Sequence, residues 1–311
     1  MAEQNSSGEN RPYSAAHFGL ELGDGEDCGL MRSLEGGGVT AEVMTYQFGD
    51  NYDLWRQLGK PKYEDIKLQV GMAMSKKFYV WMSEFFTGNG TRKSGAIVAA
   101  DFYYQERARR EFTEAIITEV AIPKFDGTDK GGAFMNVTLA PEKVKFLPGT
   151  KKQLQYDINA QYAKLWKANN FRLTLDGFDC LRRVSKVDSF TLKQKAIDYH
   201  MGERREPIKV PGRVEYPNIS FYVPESDAGP LIDEFMKRAD QGLASTGITG
   251  ELQTFDNSLD MDGKALIQIH FFGLHLKSVA PDKSDSTSEE IKLVKFEMSV
   301  ERMTFDYSAP D

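Results

Sequence analysis

Histidine, cysteine and long apolar runs are the scarce features of this 311-residue chain, which has only four histidines and two cysteines. Two cysteines in so long a chain make no disulfide framework. No apolar run approaches the roughly 20 residues of a membrane helix, so no membrane insertion is expected. Residues 1–12 lack the apolar stretch of a secretory signal and read as a disordered lead. Positive charge is short as well: 39 Lys and Arg stand against 46 Asp and Glu, a net charge of -7. Tight nucleic-acid binding calls for a basic face. A surface like this one suits nucleic acid that must slide past without sticking.

What the chain does have is the same string twice. Phe18-Gly-Leu20-Glu-Leu22-Gly-Asp24-Gly25-Glu-Asp27-Cys28 is echoed by Phe171-Arg-Leu173-Thr-Leu175-Asp176-Gly177-Phe-Asp179-Cys180. Both cysteines fall at the matching place, which favours reduced thiols buried one to a core, and synthesis in the cytoplasm. Tyr63-x-x-Ile66-Lys-Leu68 answers to Tyr216-x-x-Ile219-Ser-Phe221. Trp81-Met82-Ser-Glu84-Phe85-Phe86 answers to Leu231-Ile232-Asp-Glu234-Phe235-Met236, and Glu142 to Phe146 answers to Glu301 to Phe305. The offset drifts between 150 and 159 residues, as loop insertions would make it. A period this long exceeds that of solenoid repeats, so each copy reads as a domain. The boundaries predicted are domain 1 over 13–150, a linker over 151–169 and domain 2 over 170–311.

Periodicity supplies a mainly β fold. Phe18, Leu20 and Leu22, like Phe171, Leu173 and Leu175, share one face of a strand. The turn residues Asp24, Gly25, Asp176 and Gly177 then reverse the chain, Gly tolerating the positive φ such turns need. Phe78, Trp81, Met82, Phe85 and Phe86 form an apolar stripe at helical spacing, with Ser75 as candidate N-cap. Leu231, Ile232, Phe235 and Met236 repeat the stripe behind Pro230. The remainder reads as strands over 95–104, 111–121, 133–146, 246–254, 265–279 and 290–305. Each domain is therefore expected to be an antiparallel β-sandwich or barrel with one packed helix. Two weakly patterned stretches, 36–59 and 196–212, read as long loops of the kind that bind something. The first carries Phe48, Tyr52 and Trp55, too much apolar surface to leave in water. The second carries Arg204 and Arg205.

No catalytic constellation emerges, and no enzyme activity, metal or cofactor is expected. His270 and His275, five apart on a predicted strand, point to opposite faces and cannot form a simple metal pair. Asp256 to Gly263 lacks the sixth-position glycine and twelfth-position glutamate of a calcium loop and reads as a turn. Gly36-Gly37-Gly38 lacks the Lys-Ser/Thr of a phosphate loop. Arg107, Arg109 and Arg110 are flanked by acids and read as a solvated or salt-bridged face.

The ordered set resembles the T4-type tail tube protein family of contractile phage tails and related injection systems. The turn Leu175-Asp176-Gly177 is followed by Glu206-Pro-Ile-Lys-Val-Pro211-Gly212-Arg-Val-Glu-Tyr216-Pro-Asn-Ile219-Ser-Phe221 and then by the second helix, the family's order of motifs. Lys60-Pro-Lys-Tyr63-Glu-Asp-Ile66-Lys-Leu68 fits more loosely. The resemblance spans 13–148 and 167–307. It implies two packed antiparallel sheets flanked by a helix, joined edge to edge into hexameric rings. A long loop reaches the next ring, which would place Phe48, Tyr52, Trp55, Arg204 and Arg205 at assembly contacts. The departure is the doubling, since the usual member has one such domain; three doubled chains would close the same ring. The implied role is a structural ring of the inner tube, in a virion tail or injection particle assembled in the bacterial cytoplasm. Its implied partners are itself, sheath and baseplate proteins, and DNA or protein cargo in the lumen. A tube-initiating, terminating or baseplate hub ring is the alternative within that class. A soluble tandem β-barrel that binds a ligand is the alternative outside it.

Overall fold

Strands form wherever the sequence alternates, and they fall into two series. The computed structural model describes residues 14–15, 17–23, 25–47, 49, 54–72, 74–154, 166–241, 247–255, 265–282 and 291–307. The first series begins with β1 (His17–Leu22), β2 (Glu26–Met31), β3 (Ser33–Gly36), β4 (Val39–Gln47), β5 (Leu54–Tyr63) and β6 (Ile66–Val70). It continues through α1 (Lys76–Phe86), β7 (Lys93–Ala100), β8 (Glu106–Ile122), β9 (Phe125–Asp126), β10 (Met135–Ala140) and β11 (Lys143–Pro148). The second series is β12 (Phe171–Leu175), β13 (Lys186–Val187), β14 (Phe190–Tyr199), β15 (Ile208–Glu215) and β16 (Ile219–Pro224). After it come α2 (Gly229–Gln241), β17 (Ile248–Thr254), β18 (Ile267–Pro281) and β19 (Leu293–Tyr307).

All pairings are antiparallel. The first sheet contains the order β1-β7-β8-β10-β6-β3, with β11 continuing β10 along β8. The second contains β12-β17-β18-β19-β16-β13. Position by position these are the same order. Registers agree too: Leu22 lies opposite Gly95 as Leu175 lies opposite Gly250, and Leu34 opposite Leu68 as Val187 opposite Phe221. Gly95 and Gly250 share a reason to be glycine. A Cβ would stand 2.2 Å from the Glu21 carbonyl oxygen in one case and 2.9 Å from that of Thr174 in the other. Both would collide with backbone.

The strand phase slips at one positive-φ residue in each of β8 and β18. Glu114 and Gly273 both have positive φ, 50° and 63°. Residues 267, 269 and 271 of β18 point into the core, but after Gly273 it is Leu274 that does. The expectation that His270 and His275 face opposite ways is corrected by this slip. Both lie on the less buried side, His270 beside Asp306 at 3.2 Å and His275 beside Glu301 at 2.9 Å.

Both helices form where the stripes predict. Ser75 occupies the N-cap position of α1 with an extended backbone but makes no side-chain capping bond. Gly88, at φ 82°, closes the helix by donating to the Phe85 carbonyl. Phe78, Trp81, Met82, Phe85 and Phe86 are all buried. At roughly 1.5–3 kcal/mol for each fully buried large side chain, this stripe is a major anchor of the fold. The core is continuous: Leu20, Val137 and Phe86 of the first half belong to the same apolar cluster as Leu173, Phe221 and Phe305 of the second.

Two local expectations change. The stretch 36–59 is no loop: most of it is the β4–β5 hairpin, a two-stranded arm standing apart from both large sheets. The stretch 196–212 likewise holds the outer part of the β14–β15 hairpin. After the second Asp-Gly turn, the counterpart of β2 is a 3-10 turn over Asp179–Arg183. Cys28 is therefore a strand residue, buried and unpaired, whereas Cys180 sits in that turn, its side chain outside the described residues.

Candidate assembly interface

Each half lends a strand to the sheet of the other. Phe190 to Lys193 of β14 pair with Ile122 to Glu119 of β8, and β9 pairs with β13 through Phe125 opposite Val187. Beside this exchange, α1 packs on β19 of the second half. The Tyr79 and Tyr307 rings stack at 3.8 Å between centroids, and Phe86 lies 5.2 Å from Phe305. Burial drives the Tyr79 phenol far above its ordinary pKa, and its hydroxyl donates to the Gly71 carbonyl at 3.0 Å.

Several polar groups pair across the joint. The Tyr216 hydroxyl donates to the Phe86 carbonyl at 2.9 Å. Arg92 Nη2 donates to the Lys209 carbonyl at 2.7 Å, and the Lys209 amide donates to Glu142 Oε1 at 2.9 Å. Lys143 and Glu206 pair at 2.7 Å, and Lys143 holds the Glu206 carboxyl below the ordinary range. Asp126, on β9, is pulled down to about 2, chiefly by Lys124 and also by Thr128.

The β4–β5 arm is mostly exposed. Val39, Val43, Met44, Leu54, Trp55 and Leu58 are all exposed on it, Trp55 by 68%. Of the residues expected at contacts, Phe48 and Tyr52 lie outside the described residues. Arg205 is exposed and donates to the Gly59 carbonyl on β5 at 3.1 Å, so the two hairpins touch. Arg204 is exposed and donates its amide to the Met201 carbonyl at 3.3 Å. The turn residues sit elsewhere. Gly25 and Gly177 have φ of 89° and 87°. Asp176 is tied to Thr249 on β17 through its amide and its carboxylate. Asp24 is outside the described residues.

The remaining charged clusters are internal braces. Arg109 bridges the buried Glu21 at 2.5 Å, Glu106 at 3.6 Å and Glu111 at 3.3 Å. Arg107 binds Asp101 at 2.7 Å, and Arg110 donates to the Gly36 carbonyl at 3.0 Å. The arginine cluster is thus salt-bridged and hydrogen-bonded within the chain. Among the described residues no group of three or more His, Cys, Asp or Glu is placed to hold a metal, and Asp256 to Gly263 lie outside them. No described helix is long and apolar enough to cross a membrane.

Residues 14–145 match the family model of the T4-like virus tail tube protein gp19. That part of the chain, most of its first half, is similar to the T4-like tail tube proteins. Several solved structures match a little under half of the chain. A chain from the sheath-tube complex of an extracellular contractile injection system, PVC, in its extended state is 19% identical, with TM-score 0.38; the match covers 45% of this chain and 93% of that one. A chain of the tube-terminating cap of the anti-feeding prophage is 20% identical over 45% of this chain and 93% of that one, TM-score 0.37. A type six secretion system protein is 14% identical over 46% and 85%, TM-score 0.31. No curated protein matches the chain. The sequence stripe showed that α1 buries a face. That its cover comes from the other half of the chain could be found only by matching Phe146 with Phe305 and asking why one copy is exposed.

Proposed function

We propose that this chain is a ring-forming subunit of the inner tube of a contractile tail or injection device, and that its second half is a second tail tube domain. Three chains would close a ring of six domains with two alternating kinds of joint. The observation that carries the reading is the β8–β14 pairing beside two sheets of equal strand order. Inside one chain, one domain's sheet is already extended by the hairpin of the next. Repeating that step satisfies strand edges otherwise open to uncontrolled association.

The exposed arm supports a contact with the neighbouring ring, made by Trp55 together with Phe48 and Tyr52. Sheath and baseplate proteins would meet the outside. The enclosed lumen would pass DNA or protein cargo without gripping it, in keeping with the acidic net charge. The particle would be a virion tail or injection device assembled in the cytoplasm.

Electron microscopy and mass measurement of the purified protein test this. Stacked rings of three chains are the expected result. Rings of six chains would reject the trimer, isolated single-layer rings would favour an end or hub ring, and small monodisperse particles would overturn the reading. Trp55→Ala should fold normally by circular dichroism yet stack poorly, since truncating an interface hot spot costs about 2–4 kcal/mol.

A further inference from the structure

The joint inside the chain has a matching half-joint left open at each end of the repeat. β4 follows β14 at an offset of 153: Thr40 stands opposite Lys62 on β5 as Lys193 stands opposite Glu215 on β15, so Val39 and Tyr63 answer to Leu192 and Tyr216. β18 follows β8 at an offset of 159, through Phe112 and Phe271, and through the positive-φ pair Glu114 and Gly273. The four residues of β8 that receive β14, Glu119 to Ile122, therefore correspond to Ser278 to Pro281. Those four pair with β19 on one side. On the other side β17 reaches only to Leu274, and among the described residues no strand pairs with them there.

Exposure follows the same correspondence. Leu192 is fully buried against β8, while its counterpart Val39 is 42% exposed. Phe305 is fully buried under α1, while its counterpart Phe146 is 58% exposed. Phe86 is fully buried, while its counterpart Met236 on α2 is 49% exposed. Each of these large apolar side chains is uncovered where its equivalent partner would belong to another chain. A cavity of about 220 Å³ under α2, lined by Phe178, Leu231, Phe235, Ile248, Leu276 and Met298 among others, marks the same helix as incompletely packed.

We propose that the open edge of β18 at Ser278–Pro281 and the exposed side of α2 at Met236 form one docking surface for a second copy of this chain. The incoming copy supplies the start of β4 and Phe146. The inferred register sets Val39 opposite Val279 and Thr40 opposite Ser278, as Leu192 and Lys193 oppose Val120 and Glu119 within the chain. Phe146 meets Met236 as Phe305 meets Phe86, and the Tyr63 hydroxyl donates to the Met236 carbonyl as Tyr216 does to that of Phe86. The contact is head to tail, with different surfaces on the two chains, and rests on the ring reading above.

A mixing experiment tests it. Phe146→Glu destroys one surface and Met236→Glu the other, and both positions are exposed, so each variant should keep the wild-type circular dichroism spectrum. Each alone should sediment as a monomer; mixed in equal amounts, the pair should give a dimer through the one intact joint. A Val39→Cys/Val279→Cys variant should form chain-to-chain disulfides up to a closed ring on oxidation, which reads the register and does not depend on the glutamate variants folding. Wild-type rings that persist with either glutamate variant, or fail to cross-link through positions 39 and 279, would overturn this surface and leave the ring reading standing. A wild-type protein that forms no ring would overturn both.

Discussion

Phe305→Ala should weaken the whole chain, although the residue lies in its last described strand. Its ring is fully buried, 5.2 Å from Phe86 and 6.3 Å from Tyr79. Truncating a core phenylalanine costs about 3–5 kcal/mol, and two aromatic neighbours on a helix of the other half place this site in the upper part of that range. With a urea m-value near or above 3 kcal/mol/M for a chain of this size, the midpoint should fall by about 1 M. Far-UV circular dichroism and tryptophan fluorescence should move together, because Trp81 lies on the helix that Phe305 supports. Phe146→Ala, the equivalent change at the exposed position, should cost the unassociated chain no more than about 0.5 kcal/mol. A loss below about 1 kcal/mol for Phe305→Ala would refute the shared core. So would a transition in which the dichroism shifts while the Trp81 signal stays in place.

Asp126→Asn should cost about 1 kcal/mol at neutral pH, allowing for solvent screening of Lys124. The folded carboxyl titrates at about 2 instead of 3.8, so its stabilisation is present above 3.8 and lost as pH falls towards 2. Urea midpoints for the variant and wild type should accordingly converge at pH 2, and a constant gap across that window would exclude the Lys124 pair as the cause. Cys28 is buried and its thiol pKa is raised, first by burial. In a Cys180→Ser background a thiol reagent should react with it slowly until urea unfolds the chain, and fast labelling of the native protein would count against the core placement.

The strands and helices were legible because burial on one side leaves a period. The helical stripe at Phe78 to Phe86 and the alternation at Leu20 and Leu173 each have one buried face, and both elements stand where the pattern put them. The arm was illegible for the converse reason. Both faces of β4 and β5 are largely exposed, so no alternation marks them as strands. The phase slip at Gly273 hid the common orientation of His270 and His275, since a period of two carries no record of one positive φ. β9 and β13 are two residues each, too short for any period, and they are held by each other. Phe48, Tyr52 and Asp24 lie outside the described residues.

The packing of α1 on β19 also sets an order of events during synthesis. The helix leaves the ribosome with its stripe complete at Phe86, but the ring that covers part of it belongs to Phe305, some 220 residues later. At roughly 5–20 residues per second, the nascent first half waits about 10–45 s with that part of its apolar face uncovered. For that interval it presents an aromatic surface to every neighbouring nascent chain. Polysomes carrying many copies would bring such faces close together before any of them could close on its own second half.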